Sequence, residues 1–211
     1  MTWRWPVTLA TPLPDGRDLL LRPLRRGDRQ QWEDLRARNT DWLRPWEATA
    51  PGEVGTTTPF GRLRRGFDRA GRVGASLPLV IDVEGRLAGS VQIFDILWGS
   101  RRSAAAGYWL DREATGQGLA TWSLALLVDH ALTEAGLRRV EIGIRPDNPR
   151  SLAVVARLGL VEEGVRRDWM HVDGSWHDHR CFAVLAADLA SDGPIPGGLV
   201  RRLRQEAAPA G

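Results

Sequence analysis

Short apolar runs separated by glycine, proline and charged residues dominate the chain, and they predict strands more often than helices. The predicted strands are Leu19–Leu24, Leu79–Val83, Leu87–Phe94, Ser103–Leu110, Arg139–Ile144, Leu160–Trp169 and Ser175–Leu185. The last two form a hairpin at Asp173-Gly174, because Asp-Gly favours a tight turn.

Helical periodicity appears at four places. The predicted helices begin at Asp28, lie around Phe60–Asp68, run from Leu119 to Ala135 before Gly136, and run from Pro149 to Leu158 before Gly159. Asp28 and Gln31 have capping-box spacing at the first of them. The helix from Leu119 is apolar around most of its circumference, so we expect it to be deeply buried. The order of elements predicts an α/β arrangement with a mixed sheet and one βαβ unit.

The chain has 211 residues, which suits one domain. We expect residues 1–190 to form that domain and residues 191–211, which are rich in glycine and proline, to form a flexible tail with at most one amphipathic turn.

The basic residues give a high pI without a strongly basic surface. All 29 are arginines, and the net charge is only +3. Arginine keeps its proton below about pH 12, so a pI near 10.2 reports the scarcity of other titratable groups. The small net charge therefore weakens a nucleic-acid interpretation.

One cysteine, Cys181, excludes an internal disulfide and a cysteine-based structural metal site. The apolar runs are too short for a membrane span, and the first residues lack a secretory apolar region. We expect a cytoplasmic protein without a membrane anchor or a bound metal.

Two glycines precede the buried helix. In the run 115–121, Gly116 and Gly118 would let backbone N–H groups approach an anion at the positive end of the helix dipole. The alternative is a strand-to-helix turn with glycines for packing, and spacing alone does not separate the two.

A second polar element, Pro146-Asp147-Asn148-Pro149-Arg150-Ser151, precedes the next helix. Asn148 is a typical N-cap residue. A cap at the carboxyl end of a strand also faces the crevice where α/β folds bind ligands, so a functional role remains open.

Together with Leu158-Gly159-Leu160, these two elements resemble motifs A and B of the GNAT acyl-CoA-dependent N-acetyltransferases, with most similarity to the RimJ/RimL type. Leu43-Arg44-Pro45-Trp46-Glu47, Gly107-Tyr108-Trp109-Leu110 and Trp176-His177-Asp178-His179 support the resemblance, which spans about residues 17–189. It implies a mixed, mostly antiparallel, twisted sheet of six to seven strands with flanking helices and a splayed central strand pair.

The resemblance also implies acetyl-CoA as the co-substrate and a direct transfer to an amine. The pyrophosphate would lie on the amides of Gly116, Gln117, Gly118, Leu119, Ala120 and Thr121. Backbone donors near Trp109 and Leu110 would hold the pantetheine arm and polarise the thioester carbonyl. Asn148 would orient the cofactor or the amine, and Ser151 would protonate the departing thiolate.

The chain departs from the family pattern at three positions. Glu113 replaces an Arg or Gln, so its side chain should point away from the pyrophosphate. Val155 replaces a tyrosine acid, which leaves Ser151, Tyr108 or solvent as the acid. Leu160 replaces a phenylalanine.

The acceptor side is less defined. Glu47 is the predicted base, acting through water, and Trp42, Trp46, Asp178 and His179 are the other predicted substrate contacts. The expected acceptor is the N-terminal α-amine of a ribosomal protein, with ribosome association and a monomer or homodimer. The alternatives are a small-molecule amine, such as an amino-acid analogue or aminoglycoside, and a non-catalytic acyl-CoA-binding or RNA-associated protein.

Overall fold

The computed structural model describes residues 3–52 and 58–208. Its eight strands form one sheet in the order β1-β2-β3-β4-β5-β6-β8-β7. The strands are β1 (Leu9–Pro12), β2 (Asp18–Arg22), β3 (Leu77–Val83), β4 (Arg86–Leu97), β5 (Ser103–Leu110), β6 (Arg139–Ile144), β7 (Val161–Val172) and β8 (Ser175–Leu185). All neighbours within this part of the chain are antiparallel except β5 and β6.

Six α-helices flank the sheet in the part of the chain that the structure describes. They are α1 (Arg29–Arg38), α2 (Thr40–Leu43), α3 (Phe60–Arg72), α4 (Leu119–Thr133), α5 (Pro149–Leu158) and α6 (Leu199–Ala207). Side chains of α4, α5 and α6 form the larger core with one face of the sheet, whereas α1 and α3 form a smaller core with the other face. Alternate residues of β5 divide between the two cores: Ala106 and Leu110 enter the larger one, and Trp109 lies against the smaller one.

The central parallel pair opens into a wedge. Residues 103–105 of β5 pair with residues 139–141 of β6, and the two strands then part. Beyond that point β5 continues on β4 as far as Leu110, and β6 continues on β8 as far as Ile144. This opening, called the gap below, confirms the expected splayed pair and the predicted mixed sheet.

The long helix α4 is the centre of the larger core. Leu124, Ala125, Leu127 and Val128 are fully buried, as the unbroken apolar pattern predicted. Truncating one such leucine to alanine costs about 2–5 kcal/mol in typical cores, so the position of α4 over the gap is strongly fixed. No helix within the described residues is both long and apolar enough to cross a membrane.

Three local expectations differ from the structure. β1 was not predicted, because its four residues contain a proline and only one buried side chain. The Asp28/Gln31 capping box is absent: Asp28 binds Arg22 and the Arg25 N–H, whereas Gln31 accepts a hydrogen bond from the Leu87 N–H.

The third difference concerns the expected flexible tail, which contains α6. Leu199 and Leu203 are buried against the larger core, and both carboxylate oxygens of Asp129 accept N–H groups at the start of α6, from Leu199 and Val200. Glycine and proline content concealed this helix because its apolar residues are few and one capping partner lies 70 residues away. The domain boundary at residue 190 stays a prediction.

Candidate active site

Backbone N–H groups without an acceptor among the described residues lie together where α4 begins. Gly116 and Gly118 adopt φ values of +80° and +75°, which side chains rarely tolerate. The first internal hydrogen bond of the helix runs from the Trp122 N–H to the Gly118 carbonyl, at 3.1 Å. The N–H groups of residues 116–121 have no acceptor among the described residues. Six consecutive donors at a helix N-terminus form a cradle of the size and charge that suit a diphosphate.

A buried polar network fixes the loop that leads into this cradle. Asp111 accepts hydrogen bonds from Asn39 Nδ2 at 2.8 Å and from Arg38 at 2.5 Å, while Asn39 Oδ1 accepts the Arg112 N–H at 2.9 Å. Burial raises the pKa of Asp111, but these donors more than offset it, so the pKa lies below its usual value. Sequence reasoning missed this network, because Asn39 and Asp111 are 72 residues apart.

The pleat of β5 decides which backbone groups face the gap. Asp111 N–H donates to the Ala88 carbonyl on the β4 side, and Arg102 C=O accepts from Arg138 on the β6 side. Since alternate residues address opposite neighbours, the backbone of Trp109 is committed to β4, and the N–H of Leu110 faces the gap. Of the two donors expected to hold a pantetheine arm, Leu110 alone is oriented for it.

The side chain of Trp109 is also turned away from the larger core. Its ring packs edge-on against Trp32 at 5.5 Å, and the Arg36 guanidinium lies 5.1 Å from the ring centre. Trp109 therefore supports the α1 face of the site.

Tyr108 and Ser151 meet beside the gap. Tyr108 Oη donates to Ser151 Oγ at 3.1 Å, joining β5 to the first turn of α5. Burial raises the pKa of Tyr108, which keeps the phenol protonated at neutral pH. Because tyrosine supplies the proton of this bond, the serine hydroxyl proton is available to another acceptor.

Asn148 has the capping role expected of it. Its Oδ1 accepts the Ser151 N–H at 3.1 Å. The cap uses the backbone of Ser151, so the serine hydroxyl stays free for the contact with Tyr108.

The three positions that depart from the family pattern are accommodated. Glu113 is exposed, and the direction of its side chain relative to a bound pyrophosphate stays a prediction. Val155 is 1% exposed and belongs to the larger core, and Leu160 joins it there. A hydrophobic residue at 155 leaves Tyr108 and Ser151 as the hydroxyls beside the gap.

Trp42 lies at the mouth of the gap. Its Nε1 donates to the Leu110 carbonyl at 3.2 Å, and the guanidinium of Arg150 lies 4.8 Å from its ring centre. The structure thus brings this predicted substrate contact to the end of β5.

Trp46 and Glu47 flank the same end of the sheet but are separately engaged. Arg145 lies 5.2 Å from the Trp46 ring centre and donates to the Pro45 carbonyl at 2.8 Å. Glu47 forms an ion pair with Arg36 at 2.5 Å, with 41% of its side chain exposed.

The hairpin residues Asp178 and His179 take different positions. Asp178 is exposed and accepts the Asp168 N–H at 2.9 Å. His179 is buried, and its ring packs edge-on against Trp169 at 5.2 Å. Burial lowers the pKa of His179, and the positive charge of Arg145 adds to the effect.

A cavity of about 440 Å³ lies away from this chemistry. It is lined by Trp3, Trp98, Arg102, Ala135 and Gly136, at the opposite end of β5 from the gap. Within residues 3–52 and 58–208, no three His, Cys, Asp or Glu side chains cluster as metal ligands.

Comparisons with known proteins agree with this geometry. A family model described as an acetyltransferase (GNAT) domain matches residues 18–161. Among solved structures, Mycobacterium smegmatis RimJ in complex with CoA-disulfide has a TM-score of 0.87 and 34% identity, covering 98% of this chain and 97% of that one.

Two named bacterial relatives are similar over most of their length. Probable N-acetyltransferase YjcK of Bacillus subtilis is 29% identical over 177 residues, 82% of this chain and 97% of its own. The ribosomal protein uS5-alanine N-acetyltransferase of Escherichia coli is 26% identical over 167 residues, 76% of this chain and 85% of its own.

Proposed function

The chain belongs to the GNAT family of acetyltransferases, and we propose that it transfers an acetyl group from acetyl-CoA to the N-terminal α-amine of a protein, with ribosomal proteins as the substrate class. The observation that carries the proposal is the set of amides at residues 116–121, beside the gap between β5 and β6, which have no acceptor within residues 3–52 and 58–208. The co-substrate supplies a thioester, whose acetyl group the amine receives directly.

Different backbone groups around the gap bind different parts of acetyl-CoA. The amide N–H groups of the cradle donate hydrogen bonds to the diphosphate, and the loop that follows Asp111 is already fixed, so it adds no ordering cost at binding. The N–H of Leu110 faces the gap, where it can hydrogen-bond the pantetheine arm or the thioester carbonyl.

Tyr108 and Ser151 supply the proton that the departing sulfur receives. As the new C–N bond forms and the C–S bond breaks, the amine loses a proton and the sulfur gains one. Ser151 donates its hydroxyl proton to the sulfur, and Tyr108 replaces that proton through the 3.1 Å hydrogen bond. A buried phenol with a raised pKa suits this role because it remains a donor at neutral pH.

An α-amine depends less on a catalytic base than a lysine side chain does, because more of it is already neutral near pH 7.5. With a pKa of about 7.7–8.0, roughly a quarter to a third of it is neutral at pH 7.5, against about 0.1% of a lysine side chain. The name of the ribosomal protein uS5-alanine N-acetyltransferase from E. coli supports a ribosomal protein as the class of acceptor.

The test is a thiol-release assay with acetyl-CoA and matched peptides. One peptide begins with a free Ala, Ser or Thr, its control carries the same sequence with the N-terminus blocked, and a third has a blocked N-terminus and an internal lysine. We expect thiol release with the first peptide alone, and mass spectrometry should place the acetyl group on the first residue. Activity restricted to a panel of small amines, or RNA binding without thiol release, would overturn the proposal.

A further inference from the structure

His179 lies on β8, one strand beyond the β6 edge of the gap, on the face of the sheet opposite Tyr108 and Ser151. In the β6–β8 ladder Arg180 stands opposite Ile144, so His179 lies at the carboxyl end of β6, about one strand spacing of 5 Å away. Trp169 covers Gly143 so closely that a Cβ there would lie 2.1 Å from its ring, and His179 packs on that same indole. Tyr108, in contrast, packs on the larger core with α4 and α5.

The hydrogen bonds of His179 define which ring nitrogen is free. Its Nδ1 lies 3.0 Å from the His177 carbonyl, which can only accept, so Nδ1 carries the proton. In the neutral ring, Nε2 is then a lone-pair acceptor. Nε2 has no hydrogen-bond partner among the described residues. The polar atoms of those residues that lack both a partner and solvent contact are Ser123 Oγ and His130 Nδ1, so His179 Nε2 is in contact with solvent.

The other candidates for a base each have one oxygen engaged. Glu47 is paired with Arg36 through Oε1, and Asp178 accepts the Asp168 N–H on Oδ1. An ion pair with Arg36 stabilises the charged form of Glu47 and so weakens it as a base, whereas no cation is paired with the lone pair of His179 Nε2 among the described residues.

We propose that His179 is the general base of the reaction, receiving the amine proton on Nε2. This assignment rests on the proposed function. It places the base and the Tyr108–Ser151 proton donor on opposite faces of the sheet, so that the amine enters the gap from one side and the thiolate leaves towards the other. The proton balance closes: the nitrogen gives one proton to His179, the sulfur takes one from Ser151, and both groups return to their starting states by exchange with solvent.

Several charged groups around His179 set its titration. Arg145 and His177 disfavour its charged form, and Asp147 favours it. Arg166 of β7 stands opposite His179 in the ladder, with its guanidinium 5.0 Å from the centre of the Trp169 ring. The ring is neutral at pH 7 and ready to accept a proton.

The test compares His179→Asn with the matched control His177→Gln on the neighbouring, less buried histidine. Asparagine retains an N–H near the position of Nδ1 and offers nothing at the position of Nε2. We expect kcat/KM for a free-amine peptide to fall by about 10²-fold in His179→Asn, with unchanged CoA affinity by calorimetry and little change in the control. A loss that follows CoA affinity, or no loss, would overturn the assignment.

A measurement on the unaltered protein does not depend on how the variant folds. The acidic side of log kcat/KM against pH should contain two ionisations: that of the free peptide α-amine, near its pKa of about 7.7–8.0, and one that coincides with the titration of the His179 ring followed by NMR. The second ionisation should disappear in His179→Asn while the first remains. A profile of the unaltered protein that contains the amine ionisation alone contradicts the role of His179 while leaving peptide acetylation intact. Absence of activity on any free-amine peptide would instead overturn the proposed function, and the base with it.

Discussion

Tyr108 Oη donates a hydrogen bond to Ser151 Oγ across 3.1 Å, and this contact joins the C-terminal part of β5 to the first turn of α5. The two residues are 43 positions apart, and the strands that precede them separate before reaching this point. The contact therefore spans one side of the gap and presents a hydroxyl proton to it.

Replacement of Ser151 tests the donor. We expect Ser151→Ala to lower kcat by about 10²-fold, because the departing sulfur loses its proton source. The melting temperature should hold, since the cap of α5 uses the Ser151 N–H and not its side chain. Tyr108→Phe should lower kcat less, and the double variant should resemble Ser151→Ala because both act on one proton. Additive losses would show that the two hydroxyls act separately.

The cradle can be tested by charge alone. Gly118 has a φ of +75°, so any side chain there is strained, but Gly118→Gln and Gly118→Glu carry the same strain and nearly the same volume. The carboxylate should repel the diphosphate, so KM for acetyl-CoA should rise much more in Gly118→Glu than in Gly118→Gln. Equal KM values in the two variants would contradict anion binding at residues 116–121.

The buried pair of Asn39 and Asp111 should matter to both stability and binding. Asn39→Ala leaves the Arg112 N–H without its partner and removes one of the two donors to Asp111 Oδ1, at a cost of about 1–3 kcal/mol in the free energy of unfolding. The loosened loop should also raise KM for acetyl-CoA. Thr40→Ala, on the exposed neighbour, is the control for denaturant unfolding and kinetics, and a KM unchanged in Asn39→Ala would separate the loop from the cradle.

We expect protonation of Asp28 to lower the free energy of unfolding at acidic pH. Burial raises its pKa, but hydrogen bonds from Arg22 and from the Arg25 N–H outweigh this, so its folded pKa is below the unfolded value of about 3.9. The unfolded state then binds the proton first, and the stabilisation present above pH 4 is lost as the pH falls through the folded pKa.

Urea unfolding at pH 6, 4 and 3 measures this effect. Asp28→Asn should lose about 1–3 kcal/mol at pH 6, because Arg22 loses one of its two buried carboxylate partners and keeps Asp82. The difference between the variant and the unaltered protein should shrink as the pH falls. A constant difference would show that the charge of Asp28 contributes nothing.

The sequence predicted most of the fold where patterns were local. Seven of the strands, the buried α4 and the Asn148 cap follow from alternation, apolar runs and capping chemistry at neighbouring positions. It could not predict α6, whose burial depends on Leu199 and Leu203 reaching the larger core.

The candidate site was predicted in part for the same reason. The glycines before α4 and the polar element before α5 are contiguous in sequence, so they were found. The pairing of Asn39 with Asp111 depends on three-dimensional contact. Whether the N–H of Leu110 or that of Trp109 faces the gap depends on which side of β5 each neighbouring strand lies. No sequence pattern carries either relationship.

In the proposed reaction, the backbone amides at the start of α4 hold the diphosphate of acetyl-CoA. Titrating the ¹⁵N-labelled protein with CoA and following the backbone amide resonances tests it most directly. We predict large, saturable shifts at residues 116–121 and at Leu110, and none of comparable size around the cavity of Trp3 and Trp98. Saturable binding that leaves the 116–121 amides unmoved would contradict the account.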